Sequence, residues 1–328
     1  MTKMKRLLSV LLIVVMAFLF CGTAFALPEL DFQDTLSQGS YGPDVTALQK
    51  VLIELGLLRG TANSVYDTAT KDAVKGLQNQ LGIYADGIFG PQSEFAYNRA
   101  VRSGELHSNL SQELYARSLA DRLIGIDPGH QQKPDHALEP IGPRSKSTKA
   151  RMSAGAKGVK SGTEEYSINL QVALKLQSLL EEAGATVVMT RTENDVSISN
   201  KERADMMNAE QVDVWIRLHC DSASSAEQNG ARVLVPSRSN NAEIYPESLR
   251  LGKLLIENFC SVTEAKKRAI AARTDQTGFN WSKVPVAAVE MGYLSNAIDD
   301  AKLNSDSYQS ACAQGIFNGL AEYFAAME

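Results

Sequence analysis

The larger part of this chain takes its fold from the stretch Leu123-Ile124-Gly125-Ile126-Asp127-Pro128-Gly129-His130. Its first four residues are apolar and match one short buried strand, and the Pro-Gly pair after them predicts a turn. The same pattern returns in Val212 to Leu218, an apolar strand followed at once by His219. A third apolar strand, Val286 to Val289, is followed by Glu290. A reactive side chain therefore follows each of three predicted strands.

Helical segments separate these strands. We predict helices over residues 164–183, 200–207, 248–259 and 307–325, with further strands over 186–190 and 231–235. Strands that alternate with helices predict an α/β sheet with helices on both faces. Ligands of such sheets bind beyond the carboxyl ends of the strands, so His130, His219 and Glu290 can meet in one site.

The helix over 164–183 supplies a fourth reactive group. At about 100° per residue, its main apolar residues fall within roughly 60° of Glu165, whereas Glu164 lies about 100° away. A carboxylate on a buried helix face must be paired or bind a metal, and catalytic zinc often takes two histidines and one glutamate. Taken singly, each of these residues also fits a purely structural role. Glu165 could complement the helix dipole, a histidine could be merely hydrogen-bonded, and Glu290 could form a buried ion pair.

Residues 1–26 are predicted to be a signal peptide. A basic start precedes the apolar run Leu7 to Phe20, and Ala24-Phe25-Ala26 has the small-x-small form of a cleavage site. The run is too short to span a bilayer comfortably, although an uncleaved N-terminal anchor is the alternative. We therefore expect an exported protein with no stable membrane insertion after cleavage.

Composition narrows the class of protein. The chain has 328 residues, of which 44% are hydrophobic and 22% charged, so it can hold more than one soluble domain. Its formal net charge of −5 argues against a nucleic-acid partner, because phosphate neutralisation needs clustered Lys and Arg. Beyond the signal peptide the cysteines are Cys220, Cys260 and Cys312. An odd number without CxxC spacing predicts free thiols.

A smaller unit over residues 36–98 precedes the α/β part. Two amphipathic helices end at Gly56 and Gly82, and a turn cluster then leads into a third helix from about Gln92. The pattern predicts a three-helix bundle, and a core of that size is more typical of a binding module than of an enzyme. Residues 99–120 are polar and predicted to be a linker.

This smaller unit resembles the peptidoglycan-binding domain of many wall hydrolases. The motifs that carry the resemblance are Gly42-Pro43-Asp44-Val45-xx-Leu48-Gln49, Ala73-Val74-xx-Leu77-Gln78, Leu81-Gly82 and Asp86-Gly87-Ile88-Phe89-Gly90. The resemblance implies that peptidoglycan is a binding target. It assigns no individual sugar or peptide contacts.

The part from about Ile124 onward is similar to the zinc-dependent N-acetylmuramoyl-L-alanine amidases. The matching motifs, in chain order, are Ile126-Asp127-Pro128-Gly129-His130, Glu165-Tyr166-xx-Asn169-Leu170, Thr190-Arg191-Thr192, Glu202-Arg203-Ala204, Leu218-His219-Cys220-Asp221 and the segment from Pro285 to Asn296. Family members often have Ile-His-Ala-Asn where this chain has Leu218 to Asp221. Cys220 should point away from His219 in an extended chain, and we do not count it as a ligand.

The resemblance implies an α/β, mixed-sheet amidase domain of the phosphorylase/hydrolase-like kind over residues 121–328. It implies Zn²⁺ held by His130, Glu165 and His219, with Glu290 as the catalytic carboxylate. The implied reaction is hydrolysis of the amide between N-acetylmuramic acid and L-alanine in peptidoglycan.

Other functions stay open at this point. They are a zinc peptidase acting on peptidoglycan stem peptides, a non-catalytic wall-binding protein and an unrelated secreted α/β domain. The presence of all four expected residues argues against a decayed enzyme. We expect a secreted, wall-associated monomer. The polar stretch over residues 131–162 is predicted to be a mobile loop over or beside the site.

Overall fold

The computed structural model describes residues 27–103, 106, 115, 117–143 and 145–327. These residues form two compact units, the first with residues 27–101 and 106, and the second with residues 102–103, 115 and all described residues from 117 onward. The predicted signal peptide and half of the predicted linker lie outside the described residues. No helix within the described ranges is long and apolar enough to cross a membrane.

Three helices build the first unit. They are α1 (Pro43–Glu54), α2 (Thr68–Gln80) and α3 (Pro91–Arg102). Apolar residues at helical spacing on α1 and α2 pack with Phe89 and Tyr97 into one core. The helical fold predicted for this unit is confirmed, although α3 continues to Arg102, beyond the predicted domain end at residue 98.

Two buried glutamines hold the loops of the first unit. Gln49 on α1 forms five hydrogen bonds with residues 63–70, three as donor and two as acceptor. Gln78 on α2 forms four with residues 86–93. An amide side chain can satisfy both N–H and C=O groups of a loop without introducing charge.

A six-stranded sheet forms the centre of the second unit. The strands of this unit are β1 (Leu123–Pro128), β2 (Asp135–Pro140), β3 (Thr148–Met152), β4 (Thr186–Met189), β5 (Val214–Asp221), β6 (Arg232–Pro236), β7 (Ala271–Arg273) and β8 (Val286–Tyr293). The spatial order in the sheet is β4-β1-β5-β8-β6-β7. The first four strands of this order are parallel, whereas β6 runs antiparallel to β8. The predicted mixed sheet is confirmed.

Helices cover both faces of this sheet. They are α4 (Glu165–Glu182), α5 (Asn200–Glu210), α6 (Tyr245–Thr263), α7 (Thr277–Trp281), α8 (Ala297–Leu303) and α9 (Asp306–Ala325). Side chains alternate along a strand, so Ile216 on β5 packs with α4, α6 and α9, whereas its neighbour Trp215 packs with α5 and α7. Helices therefore bury both faces of the sheet, so a functional site can form only at its edges.

Part of the segment 131–162 differs from the loop predicted for it. Strands β2 and β3 pair there as an antiparallel hairpin. Distant residues anchor the hairpin, because Trp281 Nε1 donates to the Pro140 carbonyl at 2.9 Å and Asn280 Nδ2 donates to the Ile141 carbonyl at 2.8 Å. The segment predicted as a mobile loop therefore contains two paired strands. The sequence did not indicate them, because β2 is mostly exposed and lacks an apolar alternation.

The three cysteines of the second unit are free thiols. Cys220 and Cys312 are buried, and Cys260 is half-buried. Cys220 Sγ lies 3.6 Å from Asn169 Oδ1 of α4, so this thiol packs against the helix that carries Glu165.

Candidate metal centre

The ends of β1 and β5 and the start of α4 bring His130, Glu165 and His219 together. One potential ligand atom of each lies within 4.8 Å of the others. Glu165 Oε1 is 3.2 Å from His130 Nε2 and 3.1 Å from His219 Nδ1. The two imidazole rings meet edge to face, with centroids 4.9 Å apart. These three residues, far apart in sequence, form one cluster.

A divalent metal ion fits among these side chains. His130 Nδ1 lies 3.0 Å from the Ser153 carbonyl oxygen, which can only accept, so this nitrogen carries the proton of a neutral ring. The lone pair of His130 Nε2 then faces Glu165 Oε1, and a cation between them removes the repulsion. Tetrahedral zinc with bonds of about 2.0–2.1 Å separates its ligand atoms by roughly 3.3 Å. The observed separations of 3.1 and 3.2 Å are close to this value.

Glu165 is held as a carboxylate. It is 2% exposed, and it accepts the backbone N–H of Ala156 at 2.7 Å and of Cys220 at 3.0 Å. These two backbone N–H donors stabilise the ionised form of the Glu165 carboxyl group. The site therefore contains a negative charge ready to face a cation.

Its neighbour Glu164 lies outside the cluster. The Glu164 side chain is 37% exposed and pairs with Lys157 at 2.7 Å. The difference in burial between Glu164 and Glu165 agrees with the helical phase predicted from the sequence.

Two glycines close around the cluster. A Cβ on Gly129 would lie 2.2 Å from the His219 ring, and one on Gly155 would lie 2.9 Å from Glu165 Oε2. Gly155 also has a φ of +85°, which favours glycine.

Burial lowers the pKa of His219 to about 4, so its ring is neutral at pH 7. The His130 and His219 side chains remain 14% and 16% exposed, which leaves the cluster an open side.

Glu290 lies beside this cluster. It is the direct partner of His219 in the ladder between β5 and β8. Burial, followed by the negative charges of Glu165 and Asp221, raises the pKa of Glu290 to about 8. A buried carboxyl group with a raised pKa beside a ligand cluster is typical of acid–base catalysis. The fourth predicted site residue is thus adjacent to His219.

A buried ionic cluster next to this site was not predicted. Asp127 is fully buried and pairs with Arg203 Nη1 at 2.6 Å and with Arg217 Nε at 2.8 Å. Arg203 also donates to the carbonyl oxygens of Pro128 and His130. The sequence indicated Arg203 only because its motif resembles that of a known family. Hydrophobic periodicity does not reveal which polar groups contact one another.

Asp221 stands where family members often have asparagine. Its carboxylate pairs with Arg232 Nη2 at 2.5 Å. Arg232 is in turn the ladder partner of Glu290. The negative charge at this position is therefore matched by an arginine on β6, which lies on the other side of β8 from β5.

These features define a class of α/β proteins that carry a His–Glu–His group at the carboxyl edge of a mixed sheet. Residues 124–322 match the N-acetylmuramoyl-L-alanine amidase family. The chain belongs to that family, which confirms the resemblance inferred from its motifs. Residues 41–93 match the peptidoglycan binding domain family.

Individual relatives agree with this assignment. CwlM of Mycobacterium tuberculosis, named N-acetylmuramoyl-L-alanine amidase, is 27% identical over 282 residues, covering 84% of this chain and 64% of that protein. LytC of Bacillus subtilis, named likewise, is 25% identical over 213 residues, covering 64% of this chain and 38% of that protein. The chain thus spans less than two thirds of either relative. The crystal structure of Ami1 from Mycobacterium smegmatis has the same fold, with a TM-score of 0.58 at 22% identity over 63% of this chain and 99% of that one.

Proposed function

We propose that this chain is a zinc-dependent N-acetylmuramoyl-L-alanine amidase. It hydrolyses the amide bond between the lactyl group of N-acetylmuramic acid and L-alanine in peptidoglycan. The observation that carries the proposal is the convergence of His130, Glu165 and His219 beside the buried Glu290 in a chain of the amidase family. The names of CwlM and LytC support the choice of bond.

His130 Nε2, Glu165 Oε1 and His219 Nδ1 are the atoms proposed to hold the ion. When bound, zinc polarises the scissile carbonyl and lowers the pKa of water to about 7. The Ser153 carbonyl keeps the proton on His130 Nδ1 and so directs the Nε2 lone pair into the site. The N–H groups of Ala156 and Cys220 orient the Glu165 carboxylate.

Glu290 is proposed to transfer a proton from the attacking water to the leaving amine. Its carboxylate takes a proton from the attacking water, and the carboxylic acid then gives that proton to the nitrogen of the leaving L-alanine. A C–O bond forms as the C–N bond breaks, leaving a lactyl carboxylic acid and a free amine. Burial suits Glu290 to this task, because in the metal-free protein it raises the pKa to about 8 and so brings both uptake and release of a proton close to neutral pH.

We assign the remaining parts of the chain accordingly. Residues 36–98 are the peptidoglycan-binding domain, 99–120 the linker and 121–328 the catalytic domain, after a signal peptide over 1–26. A second binding site on the same polymer raises the local concentration of substrate. The chain then acts as a monomer outside the cytoplasm, at the cell wall.

Muropeptide analysis tests the reaction. Purified wall is digested with the metal-free protein and with protein given one equivalent of zinc, and the products are analysed by mass spectrometry. We expect free stem peptides that begin with L-alanine, and only in the sample with zinc. Cuts inside the stem peptide, with the sugar–peptide bond intact, would identify a peptidase. Full activity without metal would exclude the zinc assignment.

Substitutions separate the two carboxylate roles. Glu290→Gln should keep zinc but lose at least about a hundredfold in rate, because it removes the proton acceptor. Glu165→Gln should weaken zinc binding, because it removes the charge that faces the ion. Glu164→Gln is the matched control and should be near neutral, since this side chain is partly exposed and pairs with Lys157. Loss of zinc from Glu164→Gln but not from Glu165→Gln would contradict the ligand assignment.

A further inference from the structure

Arg191, which follows β4, is a buried cation with unusual partners. Its side chain forms five hydrogen bonds, and all of them go to neutral oxygens. The acceptors are the carbonyl groups of Pro128, Gly129, Tyr166 and Glu193 and the side-chain oxygen of Asn194. Arg191 is only 3% exposed, and burying a charge is costly unless its hydrogen bonds are well satisfied. The positions of these acceptors indicate which part of the structure the buried Arg191 side chain stabilises.

One nitrogen of Arg191 joins the two segments that carry proposed metal ligands. Arg191 Nη2 donates to the Gly129 carbonyl at 3.1 Å and to the Tyr166 carbonyl at 2.8 Å. Gly129 directly precedes His130, and Tyr166 directly follows Glu165. The guanidinium therefore fixes the separation of the two backbones from which these ligands extend.

The His130 backbone needs such a restraint. Its φ is +61°, in the left-handed region that a residue with a side chain rarely adopts. Conformations of this kind persist where the surroundings over-determine them. Arg191 Nε holds the Pro128 carbonyl at 2.9 Å, and Arg203 Nη2 holds the His130 carbonyl at 3.0 Å. Hydrogen bonds from two arginines therefore restrain the backbone on both sides of the His130 Cα.

We propose that Arg191 is a positioning residue of the metal centre, which sets the spacing of His130 and Glu165 before the ion binds. It acts through the backbone, since its contacts are to Gly129 and Tyr166. The inference rests on the proposed function, because it concerns the same zinc site. Lysine would preserve the charge but lacks the planar fork that donates in several directions at once.

Zinc affinity of the full chain tests the proposal. We would measure it by competition with a chelator for the wild type, Arg191→Lys and Arg217→Lys. Arg217 is the matched control, because it is equally buried but donates its side-chain hydrogen bonds to Asp127 and Asn200. We expect a fall of about tenfold or more for Arg191→Lys, the size typical of residues that orient metal ligands. Arg217→Lys should bind zinc nearly as the wild type does, even if both variants lose similar stability.

A spectroscopic measurement distinguishes positioning from general weakening. The visible absorption of the cobalt(II)-substituted protein reports ligand geometry, and it should change in Arg191→Lys and not in Arg217→Lys. Wild-type zinc affinity and an unchanged cobalt spectrum in Arg191→Lys would overturn the inference, as would equal losses of zinc affinity in both variants. A wild-type protein that binds no zinc would overturn the proposed function itself, so the two failures can be told apart.

A milder variant covers the case in which Arg191→Lys does not fold. Asn194→Ala removes one acceptor, at 2.9 Å from Arg191 Nη1, without touching a proposed metal ligand. Zinc affinity should fall in the same direction by a smaller factor. An affinity equal to that of the wild type would overturn the inference in that case.

Discussion

The two units of this chain hold their loops with different chemistry. In the first unit the neutral amides of Gln49 and Gln78 satisfy loop groups, each acting as donor and acceptor. In the second unit Arg203 donates to the loop before and after Gly129 while Asp127 balances its charge. A guanidinium can only donate, and when buried it needs such a counter-charge.

The difference follows from what each loop must do. Charge-assisted hydrogen bonds are shorter and stronger than neutral ones, which suits a loop that must hold His130 in a strained conformation. The same choice makes the stability of the second unit depend on the counter-charge of Asp127. The network around Gln49 is neutral, because all of its described partners are uncharged, so substitutions and pH should affect it and the ionic cluster unequally.

The largest effect is expected when Asp127 is replaced by alanine. Asp127→Ala leaves Arg203 and Arg217 buried without their carboxylate, which should cost about 3–5 kcal/mol of unfolding free energy. Denaturant unfolding followed by tryptophan fluorescence measures this change in the second unit alone, because Trp215 and Trp281 are the only tryptophans of the chain.

An exposed aspartate provides the control for that measurement. Asp205, also in the second unit, pairs with Lys201 at the surface. Asp205→Ala should cost no more than about 1 kcal/mol, as is usual for exposed ion pairs. A loss in Asp127→Ala no greater than this would show that the ionic cluster contributes little.

Acid should weaken the second unit through the same residue. Burial by itself would raise the pKa of Asp127, but Arg203 and Arg217 hold that pKa far below its usual range. The folded state therefore binds fewer protons than the unfolded state, so the stabilisation is complete above about pH 5 and is lost progressively as the pH falls. In metal-free protein the unfolding free energy should fall more steeply in the wild type than in Asp127→Asn, by up to about 1.4 kcal/mol per pH unit. Equal slopes below pH 4 would contradict this role of Asp127.

A smaller effect is expected from the neutral network. Gln49→Ala leaves the N–H groups of Asn63 and Ser64 without their acceptor, at a cost of about 1–3 kcal/mol. Hydrogen exchange over residues 63–70 should become faster. Gln38→Ala is the control, because Gln38 is exposed and its amide donates to the Thr68 hydroxyl at 3.0 Å. Equal exchange in the two variants would contradict the role of Gln49.

Local patterns in the sequence predicted the parts of the site that depend on local geometry. The helical period placed Glu165 on the buried face of α4, and apolar runs marked the strand ends near His130 and His219. Chain topology then brings these ends to one edge of the sheet. The proximity of Glu290 to His219 follows in the same way, because β5 and β8 are neighbours in the sheet.

Contacts between distant polar groups could not be predicted in this way. The β2–β3 hairpin is held by Trp281 and Asn280, which lie about 140 residues further along the chain. Arg191 and Arg203 reach carbonyl groups 62 to 75 residues away. A single sequence shows that these side chains can donate hydrogen bonds, but its periodicity does not indicate which distant groups accept them.

The burial of the three free thiols affects how readily they are oxidised. Burial raises the pKa of Cys260 to about 11, and it raises the pKa of Cys220 and Cys312 well above the usual range. A thiol with a pKa of about 11 is ionised in roughly one molecule in ten thousand at pH 7, and the thiolate is the form that reacts. Outside the cytoplasm, where this chain is proposed to act, these three thiols are thus protected by burial and not by pairing.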